Sequence, residues 1–306
     1  MSSDRSDEHE GREHGANEHA EADAVPSIDD GRYLYCLVQV DESDGEPTLE
    51  TTGVDGEPVS VVAEDGIGAV VHACEEIYDS DDLAQIRRWL VRHQTVVDEA
   101  GEAFGTPVPF QFDTILQSDD EGVREWIRSE SDTLEQVLSG LADHWEYRIE
   151  VVETDPISDE ALIDHDERLR ELDEQMSGSE DGTAFLLEKQ FDQRLTEVRA
   201  NRRESITADL QTRIDEHARE VHSLERKASA SISDDIAGSE ETDDGETLCR
   251  LTVLAHEADE SSIGSVLDDV AAHDGLEVRF TGPWPPYTFA PELGGGEDAT
   301  NARSQP

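Results

Sequence analysis

The sequence predicts an α+β protein of two domains, and three observations carry that reading. Residues 31–153 run strand, hairpin, helix, short extended segment, helix, strand. A stretch without glycine or proline, 183–237, keeps its apolar residues at helical spacing. The last elements, 247–284, run strand, helix, strand, a split β-α-β piece whose natural host is ferredoxin-like packing. The predicted domains are therefore an N-terminal α+β domain at 31–153 and a C-terminal one at 154–290, the latter of long helices plus a ferredoxin-like β-α-β unit. Acidic tails at 1–30 and 291–306 are too polar to build a core and are expected to be disordered.

Each element has a local reason. "GRYLYCLVQV" (31–40) alternates and is rich in β-formers, so it reads as a strand. After an acidic loop at 41–58, residues 59–74 read as two strands joined at Asp65-Gly66, a hairpin signal. Leu83, Ile86, Leu90, Val97 and Ala100 keep helical spacing across 79–103, with Ser80 or Asp81 as N-cap. Pro107 and Pro109 stop that helix and leave 106–112 extended. A second helix is predicted over 118–141, and "HWEYRIEVVE" (144–153) reads as the strand that ends the domain. A helix over 159–176 opens the second half. The 183–237 run then predicts one long amphipathic helix, or a helical hairpin arm if it is broken, with Leu187, Phe191, Leu195, Val198, Ile206, Leu210, Ile214, Val221 and Leu224 in its stripe. A second acidic loop at 233–246 precedes the closing strand at 247–256, helix at 258–275 and strand at 276–284.

Charge narrows the functional classes. Over 306 residues, 23 Lys and Arg face 76 Asp and Glu, a formal charge of −53. The apolar residues are gathered into periodic runs, so the chain reads as a folded protein adapted to a salty cytosol, where molar salt shortens the Debye length to about 3 Å. Nucleic acid needs a basic face that displaces counterions, and none outweighs its acidic neighbours here. Anionic membrane surfaces are disfavoured for the same reason, and no apolar run approaches the roughly 20 residues of a membrane span. The first residues carry no hydrophobic core of a signal peptide, so a cytoplasmic protein is expected. Nine of the 23 basic residues lie between 183 and 230, against nine acidic ones, so the long helix is nearly neutral. That fits either ordinary i,i+4 pairing or a surface for a protein partner.

No catalytic or cofactor motif stands out: there is no phosphate-binding glycine loop, no H-E-x-x-H and no G-x-S-x-G. No metal or cofactor is expected. His93, His165, His217 and His222 lack metal-type partners and read as exposed or capping residues. His9, His14 and His19 read as part of a solvated tail. Cys36, Cys74 and Cys249 lie far apart at apolar positions and read as reduced, packed thiols. A binding or assembly protein is favoured over an enzyme.

Three segments together resemble one family. "RYLYCLVQ" is similar to the opening strand of the gas vesicle accessory proteins of the F/L family. "TPVPFQFDTIL" (106–116), with the helix after it and "LADHWEYRIEV" (141–151), resembles that family's proline-phenylalanine segment, helix and tryptophan-bearing strand. "FTGPWPPYTF" (280–289) resembles its C-terminal signature. Acidity and length resemble most the haloarchaeal L branch. The chain departs from the family where Gln111 and Asp113 flank Phe112, positions at which members carry a basic residue and a glycine. The resemblance implies a non-enzymatic accessory protein of vesicle assembly, binding the hydrophobic major shell protein and other accessory proteins; a minor component of the wall is the alternative it leaves. It also implies an N-terminal α+β domain followed by helices with a ferredoxin-like unit.

The candidate protein-binding residues are Pro109, Phe110 and Phe112 in the central segment, and Leu187, Phe191, Leu195 and Arg202 on the long helix. Trp284 and Tyr287 join them from the uncharged segment "TGPWPPYTFA" (281–290). Packing inside the molecule competes with partner binding at each of them. For the last segment a structural clasp is the leading expectation, with Gly282 turning the chain at positive φ and the prolines ending the strand ladder.

Overall fold

Strand β1 (Ser27–Gln39) is the spine of the first sheet. It pairs antiparallel with β3 (Ile67–Glu76) and with two short strands, β4 (Val108–Pro109) and β5 (Ile115–Leu116). β2 (Ser60–Glu64) joins β3 through Asp65 and Gly66, whose φ values of 50° and 79° are those of a type I′ hairpin turn. The structure is a computed structural model describing residues 27–41, 43, 45–178, 181–223, 245–291 and 293. The histidines expected in the N-terminal tail, and most of both predicted tails and of the 233–246 loop, lie outside those residues.

Side chains of β1 alternate faces until a register shift between Leu34 and Cys36, after which Tyr35 and Cys36 share a side. Tyr33, Tyr35, Cys36 and Val38 pack under α1 (Leu83–Phe104) with Trp89, Val96 and Val97. Leu34 and Leu37 face the other way, onto Val123 and Ile127 of α2 (Asp120–Ser129) and Leu134 and Leu138 of α3 (Ser131–Leu141). Two differences from the sequence reading are local. Asp82, rather than Ser80 or Asp81, caps α1 by accepting from the Ala84 amide at 2.9 Å. The helix predicted over 118–141 is broken at Glu130 (φ −107°, ψ 9°), and the break lets both halves lay their apolar faces on one sheet.

The second sheet holds β6 (His144–Glu153), β7 (Glu220–Ser223), β8 (Glu246–His256) and β9 (Leu276–Trp284). Its order is β7-β8-β6-β9 and every neighbouring pair is antiparallel. β8 and β9 therefore run parallel to each other on either side of β6, joined by helix α7 (Glu260–Ala271). Sequence order groups 144–153 with the N-terminal elements; pairing places it at the centre of this second sheet. Its partners lie far downstream, Glu150 opposite both Arg250 and Arg279, and local periodicity carries no trace of that choice.

α4 (Asp159–His165) and α5 (Glu167–Ser177) replace the single helix predicted over 159–176. Asp166 separates them. Its side chain caps α5 through the Leu169 amide at 2.8 Å and holds Arg194 at 2.8 Å, and that guanidinium keeps the Asp166 carboxyl below the usual range. The long helix, α6 (Asp181–Asp215), has 35 residues and spans about 52 Å. It ends well before the predicted 237. The His217 amide closes on Ile214, the Arg219 amide bonds the Leu254 carbonyl at 2.8 Å, and Val221 becomes a strand residue opposite Val253. Pairing with β8 thus overrides the continuing helical period; Leu224 lies outside the described residues. The C-terminal half of α6, with Leu210 and Ile214, covers one face of the second sheet beside Ile263 and Leu267 of α7. The opposite face sends Leu254 into the core of the first sheet.

Candidate partner-binding surfaces

Two tyrosine–histidine relays lie in the core of the first sheet, and the first of them ties the central segment to it. The Asp113 amide donates to the Tyr33 hydroxyl at 3.2 Å, which meets His93 Nδ1 at 2.8 Å; His93 Nε2 meets the Phe110 carbonyl at 3.2 Å. A carbonyl only accepts, so His93 carries its proton on Nε2 and Nδ1 accepts from the phenol. The second relay runs from the Val54 amide to the Tyr35 hydroxyl at 2.8 Å, on to His72 Nδ1 at 2.7 Å, and from His72 Nε2 to the Tyr78 hydroxyl at 2.9 Å. Burial holds both imidazoles down at about 4 and raises the phenols of Tyr33 and Tyr35. His93 is therefore a buried structural residue, not the exposed or capping one expected, and the sequence reading gave His72 no role. Their signal was position: both fall on apolar faces of their elements.

Pro109 and Phe110 are buried, with Phe110 in the core beneath α2 and α3, while Phe112 packs against Tyr33, Tyr78 and His93. Asp113 stands at φ 65°, a left-handed conformation that favours glycine and that aspartate tolerates. Its carboxylate accepts from the Tyr78 amide at 3.0 Å, a local bond that glycine would lack. All three thiols are buried and free, and burial pushes Cys74 up to about 11.

The C-terminal segment crosses between the sheets. Gly282, at φ 133°, lies so close to β6 that a Cβ would sit 2.9 Å from the Glu146 carbonyl. Pro285 and Pro286 are buried, Tyr287 packs on the cluster under α1, and Phe289 and Ala290 pack on the cluster under α2 and α3. The buried Glu146 carboxylate holds this passage, accepting from the Thr288 amide at 2.7 Å and its hydroxyl at 3.0 Å. Trp284 is the most open of the segment's aromatics, 37% exposed at the sheet edge. The bridging contacts thus come from Tyr287 and Phe289 more than from Trp284.

On α6, Leu187, Phe191 and Leu195 are half-buried on one face of the helix, along which α5 packs. Arg202 pairs with the buried Glu153 of β6. The other arginines reach equally far: Arg194 to Asp166, Arg199 to Asp159, Arg203 to Glu246 and Arg213 to Asp269. The near-neutrality of this helix therefore reflects tertiary ion pairs to α4, both sheet strands and α7, more than pairing along its own face. Because Glu153 is buried, Arg202→Ala is expected to cost about 3 kcal/mol in denaturant unfolding, as an uncompensated buried carboxylate would. Two consecutive large apolar residues are exposed elsewhere on α6, Phe185 and Leu186, at 68% and 58%. The sequence stripe starts at Leu187 and misses them; three consecutive apolar residues are too wide for one helical stripe, which was the available signal.

Among the described residues no group of three or more His, Cys, Asp or Glu is placed to hold a metal ion, and no helix is long and apolar enough to cross a membrane. What the surface offers is apolar side chains in an acidic field, suited to a protein partner. The model of the gas vesicle synthesis protein GvpL/GvpF family matches residues 31–291. The chain belongs to the GvpL/GvpF family. It is 43% identical over 277 residues to gas vesicle protein L1 of Halobacterium salinarum, covering 90% of this chain and 96% of that one. To gas vesicle protein L of Haloferax mediterranei it is 38% identical over 296 residues, covering 88% and 90%. Its fold is like that of crystalline GvpF from Anabaena sp. PCC7120 (TM-score 0.60, 21% identity, 86% of this chain and 99% of that one). GvpF from Microcystis aeruginosa is similar at a TM-score of 0.55 and 21% identity, with the same coverage. The matched span takes in both the segment that joins the two sheets, 280–290, and the proline-phenylalanine segment held by the Tyr33–His93 relay.

Proposed function

We propose that this GvpL/GvpF protein is an adaptor of gas vesicle assembly that covers apolar surface of the major shell protein and presents it, together with other accessory proteins, in soluble form. The observation that carries the reading is the exposed Phe185–Leu186 pair at the start of α6, on a chain of formal charge −53. An apolar subunit face aggregates unless covered, and a strongly charged cover keeps the complex dispersed. The half-buried Leu187, Phe191 and Leu195 extend that contact along α6 if α5 shifts aside, and Trp284 offers a smaller one at the sheet edge. The protein works in the cytoplasm beside the growing vesicles. Its second sheet, wound strand–helix–strand–strand–helix–strand, is a ferredoxin-like unit that gives α6 a rigid base.

Expressing the shell protein with and without this chain in a high-salt cytosol, and measuring soluble shell protein, tests the proposal. Several-fold more soluble shell protein is expected in its presence; equal amounts would refute the adaptor role.

A further inference from the structure

β9 is an edge strand. It pairs with β6 on one side, and among the described residues no strand pairs with its other side. Backbone N–H and C=O groups along such an edge are a template for a further strand. The side chains point the same way. Leu276, Val278 and Phe280 face the apolar layer under α6 and α7 yet stay half-buried, where Val151 of β6 and Val253 of β8 are fully buried on that face. Of the devices that blunt an edge, Pro283 guards only the C-terminal end of β9 and leaves 276–281 open. The opposite edge strand, β7, is blunted by its length of four residues.

The open stretch reads Leu276-Glu277-Val278-Arg279-Phe280, apolar at both ends and the centre, with one acid and one base between. It is self-complementary about Val278. Laid antiparallel on itself with Val278 opposite Val278, it sets Leu276 against Phe280 and Glu277 against Arg279. The symmetric registers centred one residue to either side would set Glu277 against Glu277 or Arg279 against Arg279, so charge selects one register. Within its own chain Arg279 already holds Glu277 at 2.9 Å and reaches Glu150 at 3.5 Å, so the strip carries no excess of either sign. Two chains of formal charge −53 can meet at such a strip without setting like charges against each other.

We propose that β9 pairs with β9 of a second copy, antiparallel about Val278, and fuses two four-stranded sheets into one of eight strands. The contact is isologous, and it closes as a two-fold dimer rather than growing into a fibre. Main-chain hydrogen bonds supply the attachment, and the alternation of apolar and charged side chains fixes the register. Short-range bonds of this kind suit molar salt, which screens long-range attraction. The inference does not rest on the shell protein being a partner.

Sedimentation equilibrium of the full chain in molar KCl tests it. A reversible monomer–dimer equilibrium is expected. Glu277→Arg and Arg279→Glu each set like charges across the two-fold axis and are expected to weaken the dimer about tenfold or more. An equimolar mixture of the two variants, whose strands then carry opposite charges, is expected to recover it. A chain that stays monomeric at every concentration, a dimer that neither variant weakens, or a mixture that stays monomeric would overturn the inference. Hydrogen exchange of the parent chain decides even where a variant does not fold. Amides within 276–281 are expected to exchange more slowly in the dimer; unchanged exchange there would place the contact elsewhere and overturn the inference too.

Discussion

Gly53→Ala is expected to lower stability by about 3 kcal/mol, the largest single effect in the first sheet. An added Cβ would lie 2.2 Å from the Tyr35 hydroxyl and 3.1 Å from His72 Nδ1. Tyr35 is fully buried and cannot retreat without releasing the Val54 amide and His72. Overpacking costs about 1–3 kcal/mol, and each buried polar group left without its partner about as much again. Tyr35→Phe removes the obstructing oxygen, so the double variant is expected to lose less than the sum of the two single losses. Denaturant unfolding of the four proteins in molar KCl measures this; strict additivity would mean that the clash is relieved elsewhere.

Acidification from pH 7 toward pH 5 is expected to destabilise the fold through the same relays. His72 and His93 are held near 4 by burial, against an ordinary value near 6.5. Below about pH 6.5 the unfolded chain binds two protons that the native state refuses, so the stability these residues contribute is intact above that pH. It is lost as pH falls toward 4, where it amounts to about 3 kcal/mol per histidine. Asp55 opposes the shift at His72, and neutralising other carboxylates relieves repulsion, but most carboxylates stay ionised above pH 5. Stability measured between pH 7 and 5 should therefore fall, and a His93→Gln variant should show about half the slope. A flat profile in the parent protein would mean that these imidazoles are not buried neutral.

Much of the fold is legible in the sequence because it is local. The Asp65-Gly66 turn, the strands around it and the stop at Pro107 and Pro109 all follow from backbone preferences. What escapes is decided at a distance. β6 pairs with strands about a hundred residues downstream, and α6 gives way to a strand because β8 offers Val221 a partner. The candidate surfaces divide the same way. For Phe110 the sequence already set core packing beside partner binding, and the structure buries it, whereas Arg202 shows its role only once Glu153 is folded against it. The exposed Phe185 and Leu186 fall outside the helical stripe that begins at Leu187, and only the width of the consecutive apolar run 185–187 marks them in the sequence. The clasp at 281–290 was legible as stiff and aromatic, but which aromatic bridges the sheets depends on where Glu146 fixes Thr288.

The most direct test of the adaptor account is the affinity of the purified chain for the major shell protein in molar KCl, compared with a Phe185→Asp/Leu186→Asp variant. Both side chains are exposed, so the variant is expected to keep its unfolding free energy within about 0.5 kcal/mol of the parent. The account expects the parent to bind and the variant to bind about tenfold more weakly or worse, as loss of apolar anchors at a contact centre would give. Equal affinity in the two proteins would contradict it.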